Sequence, residues 1–310
     1  EISACLVGSE MCIRDSTIFF NVADQSFLPT LIPQKQLIEA NSKRGTSDSL
    51  AEIVGPASAG PLVQLIGAPF AILLDGCSFL VSAFSLGLIH VAEPRPVSEE
   101  QRQRQSAWRE SIDGLRMVRD NALLRALVTS AALFEFFGNF IGTLYILFIV
   151  RELHASGLIL GFLIATGGVS ALFGTLIARR VIQRLGPGLS IGAMLTFYGV
   201  SGLVIPFAHG PVALAVAFLF AGQLFGDASV AIYFIAEVSL RQAIIPNAFL
   251  GRISATMQFL TQGPAPVAAI AAGILGTIIG LRLTILIGVL GVILAGVLLI
   301  LSPVHKVRSL

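Results

Sequence analysis

The sequence predicts an all-α polytopic membrane protein. Three observations predict it: an apolar composition, a series of apolar spans of membrane length, and an internal repeat. The chain has 310 residues, of which 55% are hydrophobic and only 12% charged, with a mean hydropathy of +0.86. A soluble domain carries about 25% charged residues. The net charge of +2 leaves no basic footprint for a nucleic-acid partner. Cys5, Cys12 and Cys77 make no disulfide framework.

Taken in order, the first element is a tail. LVGSEMCIRD, residues 6–15, is aperiodic and lacks the apolar run of a secretory leader. Its codons can be written so that they resemble a transposase adapter used in preparing sequencing libraries. Residues 1–16 are therefore expected to be non-native, with the protein's own chain beginning near Thr17. Residues 17–32, TIFFNVADQSFLPTLI, read as the end of a helix. Full spans follow at 46–66, 69–91, 126–150, 157–178, 188–208, 211–237, 254–279 and 282–302. Each is near the roughly 20 residues that cross a bilayer as a helix, and charge, Gly and Pro punctuate them. Residues 92–125 are polar and form a linker. Within it Trp108, Ile112, Leu115, Met117 and Val118, with Ala122, share one face at helical spacing, which predicts an amphipathic helix lying on the membrane surface.

Basic residues mark the cytoplasmic loops. If residue 33 leaves the first, partial span into the cytoplasm, alternate loops hold Lys35, Lys43 and Arg44; the seven arginines from Arg95 to Arg125; Arg179, Arg180 and Arg184; Arg241 and Arg252; and Lys306 with Arg308. Of the 20 basic residues only Arg151 and Arg282 fall in the other loops, and Arg14 lies in the tail. The linker and the C-terminus are thus expected in the cytoplasm.

The repeat appears when LIPQKQLIEAN (31–41) is laid on IIPNAFLGRIS (244–254), a shift of 213 residues. Pro33 meets Pro246, Leu37 meets Leu250, Gly60 meets Gly273 and Gly67 meets Gly280. Copies in this register, separated by a long basic linker, suggest two parallel bundles related by an axis along the membrane normal.

FLPTLIPQKQLIEAN, GPASAGPLVQLIG and FAILLDGCSFLVSAFSL, with SLRQAIIPNAFLGRISATMQFLTQGPAPVAA, GLRLT and SPVHKVR, resemble the major facilitator superfamily in its branch of drug and siderophore exporters, which includes macrolide efflux and enterobactin export proteins. The first three blocks look like that branch's fourth to sixth helices and the others like its tenth to twelfth. A member has twelve spans in two six-helix halves. The resemblance therefore implies a major facilitator fold with about eight and a half of the twelve helices present: 17–91 is the rest of the N-terminal bundle, 92–125 the linker and 126–310 the C-terminal bundle. Some three and a half helices, on the order of 100 residues, would be absent. One departure stands in the superfamily's loop motif, where GTLIARRVIQRLG keeps Gly174, Leu176, Arg179, Arg184 and Gly186 but has Ala178 at the acidic position.

The family's first, fourth, seventh and tenth helices line its cavity. On this chain they point to Asp24 and Gln25, to Glu135 with Asn139, and to Gln223 with Asp227 as cavity or proton-coupling candidates. Both later pairs are four apart and share a helix face. A carboxylate inside a membrane is costly unless it is paired, protonated or wet, which is why such groups mark transport pathways; fixed packing or salt-bridging is the plain alternative for each. Glu39, Asp48 and Glu52, with Arg179, Arg180 and Arg184, are candidates for a cytoplasmic gate. Asp75 reads as structural, and Glu237 with Arg241 as a local pair. Small residues at Gly157, Gly161 and Ala165, and at Ala268, Ala272 and Gly276, predict two closely packed faces. Pro264 and Pro266 are expected to bend the second of these helices.

Enzyme chemistry has little to work with: His90, His154, His209 and His305 all fall at predicted helix ends or loops, so no catalytic residues, metal site or cofactor are expected. No Gly-Lys pair exists to end a phosphate loop, which removes ATP as a direct energy source on this chain. The expected function is secondary active transport in the cell (inner or plasma) membrane, as proton-coupled export of a mid-sized amphipathic compound such as an antibiotic or siderophore. Its partners would be that small molecule, protons and the bilayer. An uptake permease of the same fold, or a non-transporting structural membrane protein, are the alternatives.

Overall fold

The computed structural model describes residues 20, 23–24, 27–88, 115–154, 157–208 and 210–308. The expected tail (1–16), Gln25, His90, His209, Trp108 and Ile112 lie outside them. Ten α-helices are laid down among these residues: α1 (Leu37–Ile66), α2 (Ala68–Gly87), α3 (Ala122–Arg151), α4 (Gly157–Leu185), α5 (Pro187–Gly202), α6 (Val204–Phe207), α7 (Val212–Ile244), α8 (Asn247–Gln262), α9 (Ala265–Ile278) and α10 (Leu281–Leu301). The turns Gln34–Gln36 and Pro303–Lys306 are 3₁₀. Among the described residues seven spans are long and apolar enough to cross a membrane, counting α5 with α6 and α8 with α9 as single spans. The expected span 46–66 lies inside α1, which is not among the seven; it carries Asp48 and Glu52 near its start.

Helix ends follow local chemistry. The Asn121 side chain accepts the Leu123 and Leu124 amides at 2.9 and 3.3 Å and so starts α3. The helical stretch 115–120 therefore stops before Asn121, and Ala122 belongs to α3 rather than to the expected surface helix. Of that stretch, Val118 is buried against Leu124, Val128, Leu250, Ile253 and Met257. The expected span 254–279 breaks at Gly263 and Pro264, between α8 and α9, because proline supplies no amide to carry the ladder across.

The repeat seen in the sequence reappears in the backbone. Pro33 (φ −62°, ψ 147°) and Pro246 (φ −58°, ψ 139°) precede the turn before α1 and the start of α8. Gly67 (φ 81°, ψ 157°) and Gly280 (φ 89°, ψ 160°) open α2 and α10. Positive φ at both positions requires glycine, which is why the residue recurs in register.

The core is a bundle in which α10 packs on α3 and α5, and α7 packs on α4 and α5. Phe148, Leu163, Leu195, Leu219, Ile285, Val289 and Val292 fill it. The expected small face at Ala268, Ala272 and Gly276 is packed, with Ala268 and Ala272 fully buried and Leu144 lying 3.4 Å from where a Gly276 Cβ would stand. The other is not: Gly161 and Ala165 are exposed, and nothing lies within 4 Å of a Gly161 Cβ. The close approach of α4 is made instead by Gly167 and Gly174, which press on α7. The sequence reading offered only the Gly157, Gly161 and Ala165 face on α4, and the position of α7 put the close approach on another. From the other side, α1 lies across α4 and α7, and α2 packs on α1.

Candidate functional site

Midway along α7, Gln223 and Asp227 face α4 and α3. Tyr145 on α3 donates its hydroxyl to Gln223 Oε1 at 2.8 Å. The carbonyl end of that amide is thereby taken, and its NH₂ end is the one hydrogen-bonded to Asp227. Gly167 makes room for the pair, since a Cβ there would stand 2.7 Å from Asp227 Oδ2 and 2.9 Å from Gln223 Nε2. One turn further along α4, the Ser170 hydroxyl donates to the Leu224 carbonyl and accepts the Ala228 amide at 2.9 Å. It thus ties α4 to the rung of the α7 ladder beside Asp227.

Glu135 is half-buried on α3. Asn139 returns its side-chain amide to the Glu135 backbone carbonyl at 2.7 Å, so the two do not bond through their side chains. Tyr198 on α5 lies within electrostatic reach of both Glu135 and Asp227. Phe134 meets Tyr198 and Tyr233 edge-on, with ring centroids 5.9 and 5.5 Å apart. Each of the chain's three tyrosines lies within electrostatic reach of one or both carboxylates: Tyr145 of Asp227, Tyr233 of Glu135, and Tyr198 of both. Sequence reasoning passed over them, although three tyrosines confined to apolar spans were a signal, because a phenol in such a span needs a polar partner. Neither Glu135 nor Asp227 enters an ion pair among the described residues.

The remaining candidates gather elsewhere. Asp24 pairs with Arg44 at 2.5 Å, and Arg44 also reaches Asp48 at 3.9 Å, which groups Asp24 with the residues of α1 rather than with Glu135 and Asp227. Glu39 pairs with Arg179 of α4 at 2.9 Å and with Lys43 at 3.2 Å. Arg180 and Arg184 are exposed and in no ion pair among the described residues. Ala178, at the departed motif position, is fully buried. Glu52 lies within electrostatic reach of Asp227, which brings a residue expected at the gate toward the carboxylate site. Asp75 is exposed on α2, and Glu237 and Arg241 pair at 3.7 Å. Among the described residues no three His, Cys, Asp or Glu side chains cluster as metal ligands.

A multi-helix bundle with paired polar groups at mid-depth suits many membrane proteins, and sequence comparison decides among them. The profile of the Major Facilitator Superfamily matches residues 19–268. The chain belongs to this superfamily. Its members are transporters rather than enzymes. This major facilitator chain is 25% identical over 283 residues to the uncharacterized MFS-type transporter y4rN of Sinorhizobium fredii, covering 90% of this chain and 67% of that one. To the uncharacterized MFS-type transporter YjbB of Bacillus subtilis it is 24% identical over 204 residues, covering 65% and 48%. A solved structure, a bacterial homologue of the iron transporter ferroportin in an outward-facing state with soaked iron, superposes with a TM-score of 0.67 at 23% identity, over 88% of this chain and 65% of that one. The major facilitator chain thus spans about two thirds, half and two thirds of these three proteins.

Proposed function

We propose that the chain is the larger part of a secondary active transporter that exports a mid-sized amphipathic compound, of the antibiotic or siderophore kind, in exchange for protons. Asp227 and Glu135 carry the proton coupling, and the basic ends of the helices face the cytoplasm. The observation that carries the reading is Asp227: a carboxylate at mid-membrane, between α7 and α4, held by the neutral donor Gln223 and by no cation among the described residues. Such a group has no fixed countercharge, so its proton occupancy depends on whether the cavity around it is wet or closed, which is what coupling requires. Tyr145, bonded to Gln223, and Tyr198, packed on Phe134, would line the substrate path when the helices part, with hydroxyls and rings suited to a compound with both polar and apolar parts.

Accumulation of substrate in energised vesicles, with and without an uncoupler, tests this. Asp227→Asn and Glu135→Gln are each expected to lower uncoupler-sensitive transport by about tenfold or more. Wild-type transport by both variants would remove the assigned roles.

A further inference from the structure

The basic end of the seam between α1 and α7 is held by neutral side chains that the sequence did not single out. Asn41, in the second turn of α1, is 5% exposed, and its amide donates both hydrogens to α7: one to Ser239 Oγ at 2.9 Å, one to Gln242 Oε1 at 2.8 Å. Ser239 and Gln242 are themselves buried. Just before α1, Gln34 donates its side-chain amide to the Ala243 carbonyl at 2.8 Å. Residues 239, 242 and 243 stand three and four apart, so the entry to α1 lies along one face of α7. Leu37 and Leu240 are buried nearby, at 2% and 0% exposure.

The ion pair across the adjoining seam is of another kind. Glu39 and Arg179 are 39% and 54% exposed, and water and salt screen such a contact to little net effect. Asn41 loses no charge solvation when it is buried, and both donors are satisfied only in one register of α1 on α7. Pulling the helices apart breaks both bonds at once.

We propose that Asn41 is the positioning residue of the cytoplasmic seal, clamping α1 of the N-terminal half to Ser239 and Gln242 of the C-terminal half, and that it outweighs the Glu39–Arg179 pair in holding that side shut. The proposal rests on the transporter reading above, in which the halves separate at this end. Its test uses no substrate and no carboxylate variant, so it fails independently of Asp227 and Glu135.

Ser49, 6% exposed on α1, serves as reporter. In the intact transporter with its native cysteines, Cys77 among them, changed to Ser, Ser49→Cys is labelled with a membrane-permeant maleimide. Asn41→Ala is expected to speed labelling roughly tenfold, as the loss of two buried hydrogen bonds implies. Arg179→Ala should change it by less than about threefold. Gln242→Ala should act in the same direction as Asn41→Ala, and the double variant should be labelled no faster than about twice the faster single, because both remove one contact. Labelling within twofold of wild type in Asn41→Ala, or a lowered melting temperature with unchanged labelling, would overturn the proposal by showing a packing role alone. Fully multiplicative effects in the double variant would overturn it as well. Should Asn41→Ala fail to reach the membrane, Ser239→Ala and Gln242→Ala decide by the same criterion.

Discussion

At the scale of single residues, two glycines on one helix are expected to behave in opposite ways. A Cβ at Gly167 would meet only the ends of the Asp227 and Gln223 side chains, which can swing aside. Gly167→Ala should therefore leave the melting temperature within a few degrees of wild type while reducing transport, because it displaces the groups proposed to do the work. A Cβ at Gly174 would meet the Ala228 backbone, with its Cα at 2.8 Å and its carbonyl oxygen closer still. Gly174→Ala must push α4 off α7 and should cost about 1–3 kcal/mol, read as a lower melting temperature. Normal transport in Gly167→Ala would show that the Gln223–Asp227 geometry is not critical. Much of this site was visible beforehand as spacing: Gln223 with Asp227, and Glu135 with Asn139, each share a helix face. Tyr145 and Ser170 were not visible as partners, because each bond joins residues 78 and 54 positions apart, and no local period reports such a distance.

At the scale of elements, the end of the bundle opposite the basic loops is clamped by one arginine. Arg282, in the first turn of α10, meets Glu152 just past α3 at 2.5 Å, donates to the Pro206 carbonyl of α6 at 3.3 Å, and stands 5.2 Å over the Phe148 ring. Both charged side chains are about one third exposed, so screening leaves about 1 kcal/mol for the pair, and the ring contact contributes another 0.5–1 kcal/mol or so. Arg282→Ala is expected to lower the melting temperature by about 2–6 °C; no change would mean that α10 is held by its packing alone. The break between α8 and α9 was legible from Pro264. The packing stripe of α4 was not: small-residue spacing pointed to Gly157, Gly161 and Ala165, whereas α7 is met by Gly167 and Gly174.

At the scale of the whole molecule, charge and coverage lead to two expectations. The arginines of α4 face α1 through Glu39 alone among the pairs described, with Arg180 and Arg184 exposed. Arg180→Ala and Arg184→Ala should then leave Ser49→Cys labelling unchanged, and a marked rise in either would return these residues to the seal. The second expectation concerns extent. The window of α2 that would cross the membrane buries none of its residues, and Phe79, Leu80 and Phe84 are about 70% exposed. Together with a chain that spans only part of its relatives' length, this predicts that residues 17–310 alone insert into liposomes but carry no substrate flux, whereas measurable flux would show the cavity wall to be sufficient as it stands.

The amino-acid sequence by itself determined the class of protein, most of its membrane-length spans and the register of its repeat. Each of these is written in properties that do not depend on neighbours: hydropathy over a membrane's width, proline and glycine at helix starts, and a positive φ that only glycine adopts freely at Gly67 and Gly280. What the tertiary structure decided is which side chains meet. Asp24 went to Arg44, Glu52 came within reach of Asp227, Tyr145 bonded to Gln223 beside that carboxylate, and Asn41 spent both its amide hydrogens on α7. Those outcomes depend on the rotation and depth of whole helices against one another, which many weak contacts set together and no single stretch of sequence encodes.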